Sequence, residues 1–259
     1  MSIQITTEQI KELRDMTGIS VMQCKHALEE AEGNTEKALA ILKKTSSDIA
    51  SKKVSREVKD GRVNIKTGDN KAVLVSLHCE TDFVARNDDF KNLLEALANE
   101  ALSNGTEKMK EGAKEKIDQV IQKTGENIQL GEVFEINGEV LGSYLHNDKI
   151  GVVVSLEGGN RDLAKDVAMH ITAMKPEYIS EKDITEDARK TIHEIFEKEV
   201  ANIDKPAEIK EKMLNGKIST YFKEKTLLDQ TFIKDPEKTV GKLLEEAGAK
   251  IKEVKKYSI

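Results

Sequence analysis

Tryptophan is missing from this 259-residue chain, and aromatic residues together make up 4% of it. Single-stranded nucleic acid is gripped by stacking bases on aromatic rings, so platforms of that kind are not expected. A basic excess is missing too: 41 Lys and Arg face 47 Asp and Glu, giving a formal net charge of -6. Nucleic-acid binders need positive charge to displace counterions, so no direct nucleic-acid contact is expected. Cysteine is scarce, with Cys24 and Cys79 forming no CxxC pair, which fits a reducing compartment. No apolar run approaches the roughly 18 residues of a membrane-spanning helix, and MSIQITTEQI carries no apolar leader core. A cytoplasmic protein with no membrane partner is the expectation. Phosphate loops of the GxxxxGK[ST] kind, HExxH helices and EF-hand loops are all missing, and Gly158-Gly159-Asn160 reads as a turn. No cofactor, no resident metal and no bond-making enzyme are expected.

Charged residues are plentiful at 34%, against 38% hydrophobic, and the length exceeds what one core usually serves. The first 44 residues read as three short helices. Thr6 or Thr7 caps the first, with an apolar face of Ile10, Leu13 and Met16 and a stop at Gly18. Ser20 and Gln23 form a capping-box pattern for the second, which carries Cys24, Ala27, Leu28 and Ala31. Gly33 stops it, and Asn34 opens a third with Ala38, Leu39, Ile41 and Leu42. The loop Gly18-Ile19-Ser20-Val21-Met22 either meets a partner or lets Val21 and Met22 finish a miniature core. Lys43 to Lys59, with six basic residues, reads as a solvated linker, partly helical at most.

Beyond the linker the chain repeats itself. RVNIKTGDNKAVLVSL from Arg62 and VLGSYLHNDKIGVVVSL from Val140 each read as two strands joined by a turn, and each is followed by a helix. Val73, Leu74, Val75 and Leu77 match Val152, Val153, Val154 and Leu156. VIQKTGENIQLGEVFEI from Val120 and LLEEAGAKIKEVKKYSI from Leu243 then match as helix, glycine stop and final strand. The second copy is interrupted at 180–225 by two apolar stripes of helical spacing, Ile184 to Ile203 and Ile209 to Phe222, separated by Asp204-Lys205-Pro206. That pattern predicts an antiparallel helical hairpin whose stripes close on each other or on a partner, including a second copy of the chain.

The copies differ in one place. From Leu77 to Phe90 is 13 residues, while from Leu156 to Leu163 is 7, and the difference falls on Thr81-Asp82-Phe83-Val84-Ala85-Arg86-Asn87-Asp88. Extra residues on a repeated frame point to contact with something else, since loops carry function on rigid scaffolds. Phe83 is then a wedge exposed on a short loop, or a residue buried where the next helix begins. His78, Glu80 and Asp82 would share one face of a continued strand, which admits a metal site without a distant fourth ligand. A nucleophilic Cys79 activated by His78 is disfavoured, because neighbouring strand residues point to opposite faces.

The string TDFVARND with Phe90 after it resembles the signature of the translation elongation factor Ts family. LRDMTGISVMQCKHALEEAEGNTEKALAIL, SYLHNDKIGVVV, HITAMKPEYIS and QTFIKDPEKTVGKLLEEAGAKI are similar to further blocks of that family, in the same order. The resemblance implies an α+β protein with an N-terminal three-helix ubiquitin-associated-like domain, a duplicated sheet-and-helix core and an inserted antiparallel coiled-coil hairpin. The corresponding boundaries are 1–54 for the helical domain and linker, 55–139 for core subdomain one, 140–179 with 226–259 for core subdomain two, and 180–225 for the hairpin. It further implies a guanine-nucleotide exchange factor for the GTPase elongation factor Tu, acting without bond making. On this chain the implied displacement loop comprises Thr81, Asp82, Phe83, Val84, Arg86 and Asn87, with Asp82 and Phe83 inserting into the GTPase and disturbing its magnesium and phosphate site. Arg14, Val21 and Met22 are the implied N-terminal contacts, with Val21 standing where relatives usually have Met. His146 is the implied contact of the second subdomain. Many relatives continue into a C-terminal helix, and its contact is expected to be lacking in a chain that ends at Tyr257-Ser258-Ile259.

Overall fold

The computed structural model describes residues 5–259; Met1 to Gln4, which begin the expected 1–54 domain, lie outside the described residues. Its described part is mixed helix and sheet, and divides into two compact units. One comprises 5–136 with Leu145–Gly151 and Lys256–Ile259; the other comprises Asn137–Tyr144 with Val152–Lys255.

The first unit opens with α1 (Thr7–Thr17), α2 (Val21–Glu30) and α3 (Thr35–Ser51). Thr6 caps α1 in a full capping box with Gln9, and Gly18 ends it in the left-handed conformation at φ 70. The box expected at Ser20 is only half formed: Ser20 accepts the Gln23 N–H, with no return bond. Leu13, Ile19, Cys24, Ala27, Leu28, Ala31, Ala38 and Leu42 make the small core, while Met16, assigned to that face by spacing, is 61% exposed. The expected linker is also shorter than its charge suggested, because α3 continues through residue 51 and buries Ser46 and Ala50. Its lysines stay on the outer face, so a basic run and an amphipathic helix coexist.

Next come β1 (Asp60–Thr67) and β2 (Lys71–Cys79), paired antiparallel from Asp60↔Cys79 to Thr67↔Ala72. A one-turn helix α4 (Asp82–Arg86) leads into α5 (Asp88–Asn104), α6 (Thr106–Thr124) and β3 (Ile128–Asn137). The sheet order β1-β2-β3 makes β2 central, which explains six consecutive buried residues, Ala72 to Leu77, where an edge strand would alternate. Val73, Val75, Leu77 and Cys79 face α5 and α6, whose Phe90, Leu94, Leu97, Met109 and Ile121 complete the core.

The second copy is drawn from β4 (Val140–His146), β5 (Ile150–Glu157), α7 (Arg161–Met174), β6 (Thr231–Phe232), β7 (Asp235–Thr239), α10 (Val240–Glu246) and β8 (Lys250–Ser258). β4, β5 and β8 form a sheet in that order, and β6 pairs β7. Val152, Val154, Leu156, Val167, Ile171, Val240 and Leu244 form its core. Gly142 lets α7 approach β4, since a β-carbon there would lie 2.6 Å from the Ala164 Cβ and closer still to the α7 backbone. Between the parts lie α8 (Glu186–Ala201) and α9 (Ala207–Lys225), which pack on each other through a Phe196–Tyr221 ring contact at 5.8 Å and a Lys217–Glu199 ion pair at 2.9 Å. Val200 and Phe222 are buried, whereas Ile195 and Ile209 stay 47% and 45% exposed. No helix among the described residues is long and apolar enough to cross a membrane.

Candidate functional site

The extra residues of the first copy fold as helix rather than as the expected loop. β2 ends at Cys79, and Thr81 accepts the Val84 N–H through its hydroxyl to cap α4. Asn87 then ends α4 and caps α5 by accepting the Asp89 N–H at 2.8 Å, so one residue closes a helix and opens the next. Within α4, Val84 and Ala85 turn into the core. At about 100° per residue Phe83 lies roughly opposite Ala85. It is 82% exposed. Asp82 and Arg86 pair at 3.0 Å one turn apart, across the exposed side of the same turn. The site residues thus divide in two: Asp82, Phe83 and Arg86 present themselves, while Thr81, Val84 and Asn87 hold the turn.

The shared face that a continued strand would give His78, Glu80 and Asp82 does not form. Because the strand ends at Cys79 and Thr81 starts a helix, His78, Glu80 and Asp82 find separate partners. His78 meets the Tyr257 hydroxyl at 2.9 Å, Glu80 accepts the Asn127 N–H at 2.6 Å and takes Arg56 at 3.4 Å, and Asp82 holds Arg86. Among the described residues no three His, Cys, Asp or Glu side chains are grouped to hold a metal ion. Burial, and then Lys149, press the His78 imidazole below its ordinary value, and burial pushes the Cys79 thiol up to about 12. A thiol that holds its proton this firmly is no nucleophile at neutral pH.

Beneath α4 lies a network that sequence reasoning missed. The Glu126 carboxylate, on the turn after α6, accepts the Thr81 N–H at 3.0 Å and the Thr81 hydroxyl at 2.6 Å. Asn127 Nδ2 donates to the Arg56 carbonyl at 2.7 Å, and Lys53 donates to the Gly125 carbonyl at 2.5 Å. The only sequence signal was the Gly125 stop; the bonds from Gly125 to Lys53 and from Glu126 to Thr81 join residues 72 and 45 positions apart.

Comparison with known proteins bears on this same stretch. A family model described as Elongation factor TS matches residues 80–259, starting one residue before the α4 cap. The chain is 39% identical over 262 residues to Elongation factor Ts of Hahella chejuensis, covering 98% of this chain and 92% of that one. It is 41% identical over 255 residues to Elongation factor Ts of Alcanivorax borkumensis, covering 93% and 90%. The chain belongs to the elongation factor Ts family.

The other residues that the family resemblance singled out lie apart from α4 in sequence, and the family-model match does not reach the first of them. Arg14 is exposed near the end of α1. Val21 and Met22 are 48% and 58% exposed at the start of α2, so they do not finish the miniature core. Eight other residues already fill it. His146 ends β4 on an exposed hairpin tip. That tip, Leu145–Gly151, groups with the first compact unit rather than with the rest of the second copy. Arg62 pairs with Asp148 at 2.5 Å, Lys149 bonds Asp60, and Val63 N–H donates to the Asp148 carbonyl at 2.8 Å.

Proposed function

We propose that this chain acts in translation elongation as the guanine-nucleotide exchange factor of elongation factor Tu, stabilising the nucleotide-free GTPase and making no bond. The observation that carries the reading is Phe83, a large apolar side chain 82% exposed on a turn anchored by buried Val84 and Ala85, in a member of the elongation factor Ts family. An exposed aromatic on a fixed turn is poised to enter a partner, because ordering it on binding costs little. Asp82 beside it brings negative charge toward the magnesium and phosphate site of the GTPase. Arg14, Val21 and Met22 form a second grip, and His146 a third.

Linkage sets what such a factor must achieve. It binds the nucleotide-free partner more tightly than the nucleotide-bound one, and by reciprocity weakens nucleotide binding by the same factor. Moving that equilibrium from 1:99 to 99:1 takes about 5.5 kcal/mol of differential binding. Burying one phenylalanine supplies about 1.5–3 kcal/mol. Several separate grips are therefore needed, which is the role we assign to a ubiquitin-associated-like domain at 1–54, core subdomains at 55–139 and at 140–179 with 226–259, and a coiled-coil hairpin at 180–225. Ile195 and Ile209 stay exposed on the hairpin, and a homodimer through it is part of the proposal. Sedimentation at rising concentration reads this out, and a monomer at every concentration would reject it. A cytoplasmic location is part of the same proposal.

Release of fluorescent GDP from elongation factor Tu, with and without this chain, tests the main reading. Acceleration that saturates with concentration is expected. No acceleration of an active GTPase would discard it.

A further inference from the structure

We infer that Glu126 is a positioning residue for displacement: its carboxylate sets the Thr81 hydroxyl so that α4 holds Phe83 in place. This rests on the reading of Phe83 as the displacing group. A five-residue helix has almost no stability of its own, because nucleation outweighs the few bonds it forms. Its geometry must come from its ends and its buried face. The buried face is Val84 and Ala85, and the N-terminal end is Thr81.

The hydrogen-bond roles at Thr81 are fixed by chemistry. An ionised carboxylate only accepts, so Glu126 takes both the N–H and the O–H of Thr81. With its proton committed to Glu126, the Thr81 oxygen turns a lone pair toward the Val84 N–H, which reaches it at 3.4 Å. The Thr81 carbonyl accepts the Ala85 N–H at 3.1 Å and completes the turn. Glu126 is itself pinned: its N–H reaches Thr124 Oγ1, which bonds back to Val120 in α6, and Gly125 before it is left-handed at φ 77 and held by Lys53. The frame under Phe83 therefore runs from α6 through Glu126 to Thr81, while Glu126 itself lies 43 residues beyond Phe83 in the chain. Glutamine at this position keeps the shape but replaces one of the two accepting oxygens with an NH2 group that only donates, so the Thr81 N–H and O–H no longer each meet an oxygen of their own.

The test uses the full chain and release of fluorescent GDP from elongation factor Tu, read as maximal rate and as half-saturating concentration. Glu126→Gln is expected to lower the maximal rate on the order of tenfold, the factor a hydrogen bond to a charged group carries. It should leave the half-saturating concentration within about twofold, since the other contacts are untouched. Amide hydrogen exchange at residues 83–85 should quicken, and Thr81→Val should behave alike. In a Phe83→Ala background Glu126→Gln should slow release no further, as expected of residues acting as one unit. A Glu126→Gln chain that keeps the full rate while Phe83→Ala is impaired would overturn the role of Glu126 alone. A further loss in the Phe83→Ala background would do the same. Full activity of Phe83→Ala would overturn the reading of Phe83 and this inference with it, even where amide exchange in α4 still responds to Glu126.

Discussion

Phe83 and Phe90 sit seven residues apart, one 82% exposed and the other fully buried, and replacing each with alanine separates function from folding. Phe83→Ala removes a side chain that touches little of its own protein, so stability should change by no more than about 0.5 kcal/mol. Phe90→Ala opens a cavity among Leu77, Leu94 and Leu97 and should cost about 3–5 kcal/mol. In exchange the order reverses. If Phe83 is buried only as GDP leaves, its loss withdraws about 1.5–3 kcal/mol from the displacement step, or roughly 10- to 150-fold in rate at 1.4 kcal/mol per decade. The assay is release of fluorescent GDP from elongation factor Tu over a range of chain concentrations, with urea unfolding of each variant beside it. The maximal rate should fall within that range while the half-saturating concentration moves less than about threefold. Equal losses in rate and in complex affinity would refute the idea that Phe83 acts in displacement. A loss of stability matching that of Phe90→Ala would make it a folding residue.

Cys79 should resist thiol reagents at pH 8 in the native protein and react once urea unfolds it; native labelling at the rate of a free thiol would contradict its burial. The folded thiol titrates near 12, above its ordinary value, so its contribution to stability is present below about pH 9 and fades as pH rises toward 12. His170 works in the opposite direction. Fully buried, it accepts the Ile233 N–H at Nδ1 and meets Gln230 at Nε2, and burial lowers its proton affinity despite the Gln230 hydrogen bond. The unfolded chain takes up a proton near the ordinary histidine pKa while the folded one resists, so stability should fall as pH drops below about 6.5, with His78 adding to the slope. His170→Asn should flatten part of that fall in the urea midpoint between pH 7.5 and 5, and an unchanged slope would remove His170 from the account.

Local signals in the chain marked the elements well. Caps at Thr6, Ser20 and Asn34, glycine stops at Gly18 and Gly125, and the strand patterns all report on residues within four positions of one another, which is why they read directly. The site was legible as a place and not as a geometry. TDFVARND marked it, but its spacing left Phe83 equally suited to the inside or the outside, and alternation suggested a strand through Asp82 that ends at Cys79. Charge misled at 43–51, where lysines on one face concealed the buried Ser46 and Ala50 on the other.

The motif strings of the sequence pointed to the family, and its periodicity and capping, being short-range, marked most of the helices and strands and the residues added to one copy. Tertiary structure decided which of those residues face out. Val84 and Ala85 are buried because α5 and β2 cover them, and Phe83 is exposed because nothing among the described residues does. Val21 and Met22 are left outside a core that eight other residues fill. Glu126 reaches Thr81 only because α6 carries the chain back beneath the turn. Burial and distant hydrogen bonds depend on what the rest of the chain brings alongside, and no local spacing encodes that.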